Sequence, residues 1–219
     1  MGLWEKALSA PGGVLIGGLA FWVMAWGIDA WTHIQVFGVA QGAHIHGGDA
    51  VIRLNLTVTG LPLVAFGMAQ LMGTDALLKR GGVPVYLASL SLMLDGLAHA
   101  FALNDHLGEA PSAAFFAILA PAQIALGVSL PFAGRARDRW LVAGTLGLLL
   151  LYAVSRVLPF QALRWPERVE ALDVFSKAME VLFLFALIAV ARAGQERAKA
   201  EKERQVKALS GPAGAPGPP

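Results

Sequence analysis

Residues 13–39 read GVLIGGLAFWVMAWGIDAWTHIQVFGV. The stretch holds no Lys or Arg and a single acid, Asp29. A hydrocarbon core of about 30 Å is crossed by roughly 20 apolar residues in a helix. The apolar character is continuous and not alternating, which fits a membrane helix and not a barrel strand. Five further runs of the same kind follow, at Leu54–Met72, Val83–Leu103, Ser112–Phe132, Trp140–Pro159 and Leu172–Ala191. The expected fold is therefore all-α: a polytopic membrane protein with six transmembrane helices.

Composition agrees. Of 219 residues, 56% are hydrophobic and only 15% charged, and the mean hydropathy is +0.60. Soluble domains carry about 25% charged residues. The deficit excludes a disordered chain and argues against a soluble globule. The net charge is +2 and the pI about 9.2, but the basic residues flank apolar runs. The lipid bilayer is thus the expected partner, and nucleic acid is not. Cysteine is absent, which excludes disulfides, iron–sulfur clusters, c-type haem attachment and thiolate metal sites. Any metal must be held by His, Asp, Glu, Asn or backbone oxygen.

Basic residues also set the expected orientation, because cytoplasmic loops are enriched in Lys and Arg. One set of span ends carries 12 of the 17, from Lys6 through Lys79, Arg80, Arg135, Arg137 and Arg139 to the cluster between Arg192 and Lys207. That side is expected to be cytoplasmic, with both termini on it, in a cell (inner) membrane. No cleavable signal is expected at the N-terminus, since no small-residue site follows a short apolar core. Myristoylation is not expected either, because position 6 is Lys6. Residues 1–192 are read as the six-helix domain. Residues 193–219 are read as a cytoplasmic tail: Gln195 to Lys207 alternates acid and base like a solvated helix. Ser210 to Pro219 is Gly/Pro/Ala-rich and expected to be disordered. Gly12, Gly13, Gly17 and Gly18 form small-xxx-small pairs, expected to bring helices close within the bundle first and between copies second.

All five histidines, His33, His44, His46, His99 and His106, fall at the outer ends of spans one and three or just beyond. Span one ends Asp29-Ala-Trp-Thr-His33 and span three ends Asp95-Gly-Leu-Ala-His99. Positions i and i+4 share one helical face, with Cβ atoms about 5–6 Å apart. A carboxylate and an imidazole so placed can ligate one metal, or the carboxylate can orient the imidazole. An isolated carboxylate in an apolar span is costly and must be paired, neutralised or metal-bound. The bland reading is an Asp–His or Asp–Arg packing pair, with Arg53 and Arg156 in reach. The sharper reading makes Asp29, His33, Asp95 and His99 the metal candidates, converging on one outer-facing cluster, with His46 and His106 as further ligands. Asp49 is expected to pair with Arg53 at i,i+4. Lys177 and Glu180 are read as a structural ion pair in span six, with proton handling as the alternative.

The segment Asp29-x3-His33-x12-His46 resembles the Asp/His/His metal motif in the C subunit of particulate methane and ammonia monooxygenases, copper-dependent membrane proteins. The likeness covers 18 of the 219 residues. It implies that Asp29, His33 and His46 hold one copper ion, and that Asp95, His99 and His106 loosely echo a second set. It does not extend to a hydrocarbon or ammonia monooxygenase activity.

These readings lead to four functional expectations. The first is a membrane protein with an Asp/His metal site on the extracytoplasmic side, copper favoured over zinc or iron, in a redox, storage or delivery role. A metal-dependent oxidoreductase-like activity falls within it. The second is a b-type haem protein with His33 and His99 as axial ligands. The third is a proton-coupled carrier, disfavoured because the polar residues gather at one face and not at the midplane. The fourth is a structural or assembly subunit, alone as a homo-oligomer or with other membrane subunits. No P-loop, G-x-S-x-G, H-E-x-x-H or dinucleotide fingerprint is present.

Overall fold

The computed structural model describes residues 5, 9–38, 47–73, 76–77, 82–107, 109–132, 138–157 and 171–209, with side chains at 35–38, 47–50 and 207–209 outside the description. The described residues form six long helices: α1 (Ala10–Gly38), α2 (Gly47–Met72), α3 (Gly82–Asp105), α4 (Ala110–Ser129), α5 (Asp138–Val157) and α6 (Ala171–Leu209). A short 3₁₀ turn, Leu130–Phe132, follows α4. All six are long and apolar enough to cross a membrane. Bulky apolar side chains such as Val23, Leu54, Phe66, Ile118, Leu150 and Phe185 are exposed around the bundle. Water would not tolerate that surface, whereas lipid chains match it.

Glycine, proline and hydroxyl side chains shape these helices locally. Gly73 follows α2 with φ +84 and gives its N–H to Ala69 O and Gln70 O at 3.1 Å. This is the left-handed cap that glycine adopts without steric cost. Pro111 lies in the first turn of α4, where its missing N–H costs nothing. Pro62 and Pro121 lie inside α2 and α4, which membrane helices tolerate when neighbours re-satisfy the backbone. Thr32, Thr57 and Ser91 return their hydroxyls to carbonyls one turn back, at 2.7–2.9 Å.

Packing is organised around α3, the most buried of the six. It lies against α4 on one side and α6 on another, and it touches α1 and α2. Helices α1 and α2 form a second close pair. Lipid chains are as apolar as leucine, so helix association relies on close backbone approach and polar contacts. Gly18, Gly60 and Gly67 supply the approach between α1 and α2: a Cβ at Gly18 would fall 2.6 Å from Val64 N. Of the expected small-residue pairs, Gly13 and Gly17 face open space and Gly18 makes the contact. Gly96 and Gly127 do the same between α3 and α4, where Ser89 Oγ donates to Gly127 O at 2.6 Å. One core cluster joins Leu15, Trp22, Val64, Met68, Met93 and Leu97 across α1, α2 and α3. The other joins Ala88, Leu92 and Leu130 to Phe183, Ala186 and Leu187 of α6. Helix α5 is the outlier: it leans on α6 and is not packed along α4. Helix α6 continues without a break from the last apolar span into the charged residues after 192.

Candidate metal centre

Two of the four Asp and His residues of the repeated motif meet at the heart of the bundle. Asp95, 1% exposed, projects from α3. Ser176 Oγ of α6 donates to its Oδ1 at 2.6 Å, and Gln123 Nε2 of α4 donates to its Oδ2 at 2.6 Å. His99, one turn later on α3, lies with Nδ1 3.6 Å from Asp95 Oδ1. That Nδ1–H donates to Gln123 Oε1 at 2.7 Å. The carboxylate can only accept, so it fixes which end of the Gln123 amide is nitrogen. The amide oxygen left over can only accept, so the His99 proton sits on Nδ1.

Glu180, also 1% exposed, enters from α6. Its Oε1 takes Lys177 Nζ at 2.5 Å, while its Oε2 is buried and has no hydrogen-bond partner. Asp95, His99 and Glu180 each offer a ligand atom, and these atoms lie within 4.8 Å of one another. Among the described residues Asp95 has no ion pair with Lys or Arg. The cluster therefore combines two carboxylates with one ammonium. Burying unpaired charge costs several kcal/mol per ion, of order. The arrangement is thus one positive charge short of balance with both carboxylates ionised, and it holds one buried carboxylate oxygen without a hydrogen-bond partner.

Asp29 and His33, the other motif pair, lead elsewhere. Asp29 Oδ1 is ion-paired with Arg53 of α2, and Oδ2 accepts from Asn104 Nδ2 of α3 at 2.8 Å. Asn104 also donates to Trp26 O at 3.2 Å. His33 Nδ1–H donates to Asp29 O at 2.9 Å, and its Nε2 lies 3.0 Å from Asp105 Oδ1. Both ring nitrogens already face oxygen. This is a clasp tying α1 to α2 and α3, with Arg53 set against Asp29. No hydrogen bond or ion pair joins it to the Asp95 cluster among the described residues. The four motif residues are divided between two clusters, because α4 and α6 surround Asp95 while α2 supplies the cation for Asp29.

The remaining candidates separate in the same way. His106 Nδ1 lies 3.2 Å from Glu109 Oε2, and its ring stacks on Phe116 at 5.3 Å. Phe116 stacks on His99 as well, at 5.6 Å. His106 is not in the ligand group of Asp95, His99 and Glu180. His44 and His46 lie outside the described residues, as does the Asp49 side chain. Arg53 is engaged with Asp29, and Arg156 pairs with Asp173 at 2.7 Å.

Three participants were not picked out as site residues from the sequence. Glu180 was read only as half of an ion pair. Gln123 is the one side-chain amide in span four, and Ser176 is a small hydroxyl at the start of span six. The single amide of span four, and an acid one turn past Ser176 and Lys177 deep in span six, are the signals that could have pointed to them. Comparison with protein-family models, curated proteins and solved structures gives no match.

Proposed function

We propose that this chain is an integral membrane protein that binds one divalent metal ion through Asp95, His99 and Glu180. The observation that carries this reading is the buried group itself. Three N/O ligand atoms lie within 4.8 Å of one another, and Glu180 Oε2 is uncommitted. Asp95 and His99 already hold hydrogen bonds, which a bound cation would exchange or share. Gln123 would then orient the imidazole, as outer partners of ligating histidines commonly do.

One imidazole and two carboxylates suit Cu(II), Zn(II) or Fe(II). Copper ranks first on the general affinity order alone, since the likeness to the monooxygenase C subunit lies in residues 29–46, outside this group. The basic-residue count favours the Asp105 end of α3 as the extracytoplasmic end in a cell membrane. The centre itself is not outer-facing as expected, since Asp95 lies near the middle of α3, ten residues from that end. A redox, storage or delivery role follows from such a site.

The test is metal analysis of the full chain purified in detergent and loaded with Cu(II), Zn(II) or Fe(II). One equivalent is expected for the wild type, lost in Glu180→Gln and His99→Ala and retained in His33→Ala. Failure of all three ions to bind would sink the reading.

A second reading is favoured by one observation: both oxygens of Asp95 accept hydrogen bonds, one from α4 and one from α6. In it the cluster is a packing device of a structural or assembly subunit. Asp95→Asn would then lower thermal stability with no metal to lose.

A further inference from the structure

Beside the buried group, α3, α4, α5 and α6 border a cavity of about 270 Å³. We propose that it holds the ring of a neutral, membrane-soluble quinone, whose carbonyl oxygen takes hydrogen bonds from Lys177 and Tyr152. Charge, hydrogen bonding, shape and access each narrow the occupant.

Both cations on the cavity wall already have an acid: Arg156 pairs with Asp173, and Lys177 with Glu180. Asp95 takes the proton of the wall residue Ser176, and it has no Lys or Arg partner among the described residues. An anion would add to that surplus of negative charge. A cation would meet a single carboxylate on the wall, that of Asp173, which Arg156 holds. A neutral occupant disturbs neither ion pair.

An ammonium has three N–H donors and a phenol one O–H. Among the described residues Lys177 spends one hydrogen bond, on Glu180, and the Tyr152 hydroxyl has no hydrogen-bond partner. The two residues adjoin, with Lys177 Nζ 5.1 Å from the Tyr152 ring centroid. The wall hydroxyls of Ser155 and Ser176 have already given their protons, to Tyr152 O and to Asp95. Spare donors therefore predominate at this end, and they match an acceptor. A carbonyl oxygen accepts without carrying charge. A hydrocarbon chain would leave the donors unmet inside the bilayer, which is costly.

Phe115 and Phe116 of α4 and Tyr152 of α5 give the cavity three aromatic rings. Rings pack favourably on rings in offset or edge-on contacts. A cavity of about 150 Å³ takes benzene, so the larger volume here takes one ring with its carbonyls and small substituents. The approach is from lipid: α4 and α5 are not packed along each other, and Phe115 and Leu151 are 39% and 41% exposed. The ring enters sideways between these helices, and an alkyl tail stays in the bilayer.

The experiment is binding of a radiolabelled decyl-substituted benzoquinone to the full chain in nanodiscs of neutral ether-linked lipid, which has no ester carbonyls. Partition into empty nanodiscs is subtracted. Chelator is present and no metal is added, so the result is independent of whether Asp95, His99 and Glu180 hold an ion. Saturable binding near one per chain is expected. Tyr152→Phe, which keeps the ring and loses the donor, is expected to weaken it about three- to tenfold. Leu148→Trp, which fills the cavity without touching a charge, is expected to abolish it. Decylbenzene, a ring without a carbonyl, and methyl decanoate, a carbonyl without a ring, should compete poorly. Three results would overturn the proposal: no saturable binding, competition by either compound as strong as by unlabelled quinone, or unchanged binding in a folded Leu148→Trp or Tyr152→Phe protein.

Discussion

Gln123 on α4 holds Asp95 on α3 by a 2.6 Å hydrogen bond while its other amide atom takes the His99 proton. One side chain thus orders a carboxylate and an imidazole that the α3 backbone only places on one face. Replacing it by Leu removes the partner of Asp95 Oδ2 and of His99 Nδ1, while Ser176 still donates to Asp95 Oδ1. Each such loss costs about 1–3 kcal/mol. Gln123→Leu should therefore lower the melting temperature in detergent clearly, and Gln123→Glu, which sets a second acid against Asp95, should lower it further. Melting curves of the two variants check the order.

Arg53 is the charged partner of Asp29. Removing one member of a buried pair costs about 3–5 kcal/mol. Arg53 is 25% exposed and Asn104 still donates to Asp29, so the lower end of that range applies. Arg53→Ala should be strongly destabilising. The double variant Asp29→Asn, Arg53→Ala should recover part of the loss, because no uncompensated carboxylate remains. A double-mutant cycle on thermal unfolding measures this.

Gly18 and Gly13 make a matched pair of probes. A Cβ at Gly18 would collide with the Val64 backbone, and one at Gly13 meets open space. Gly18→Ala should cost about 1–3 kcal/mol through overpacking. Gly13→Ala should be neutral or gain up to about 1 kcal/mol from helix propensity. Equal effects in a melting assay would show that α1 and α2 do not meet through Gly18.

His106 and His99 both stack on Phe116 yet differ in company. His106 pairs with Glu109 near the end of α3. His106→Ala should keep the full metal content, whereas His99→Ala should lose it. Elemental analysis of the two proteins side by side decides.

Much of the fold was legible because membrane spans announce themselves by length and hydropathy, residue by residue. The face shared by Asp95 and His99 was legible too, since a spacing of four is a property of one helix. What a helix meets is not. Asp29 and Asp95 sit in the same local motif, yet one finds Arg53 and the other finds Gln123 and Ser176. Those partners depend on which helices flank α1 and α3, and nothing in either motif encodes that choice. Glu180 was visible as an acid near Lys177, but its second oxygen becomes informative only once α3 lies beside it. The glycines show the same limit: four small residues crowd one stretch, and only the arrangement of α2 selects Gly18.

The position of α6 has a consequence for how the chain is made. Helices α1 and α2, and α3 and α4, are sequence neighbours in close contact. Gln123 lies only 28 residues beyond Asp95 in the chain. Ser176 lies 81 residues beyond Asp95, and Lys177 and Glu180 follow it. Until the last helix emerges, a carboxylate waits inside the bilayer with half of its partners unborn. Arrival of α6 supplies the hydroxyl, the ammonium and the second acid together, so biogenesis of the centre ends with the final span, and a nascent chain stalled before α6 holds an incomplete polar core.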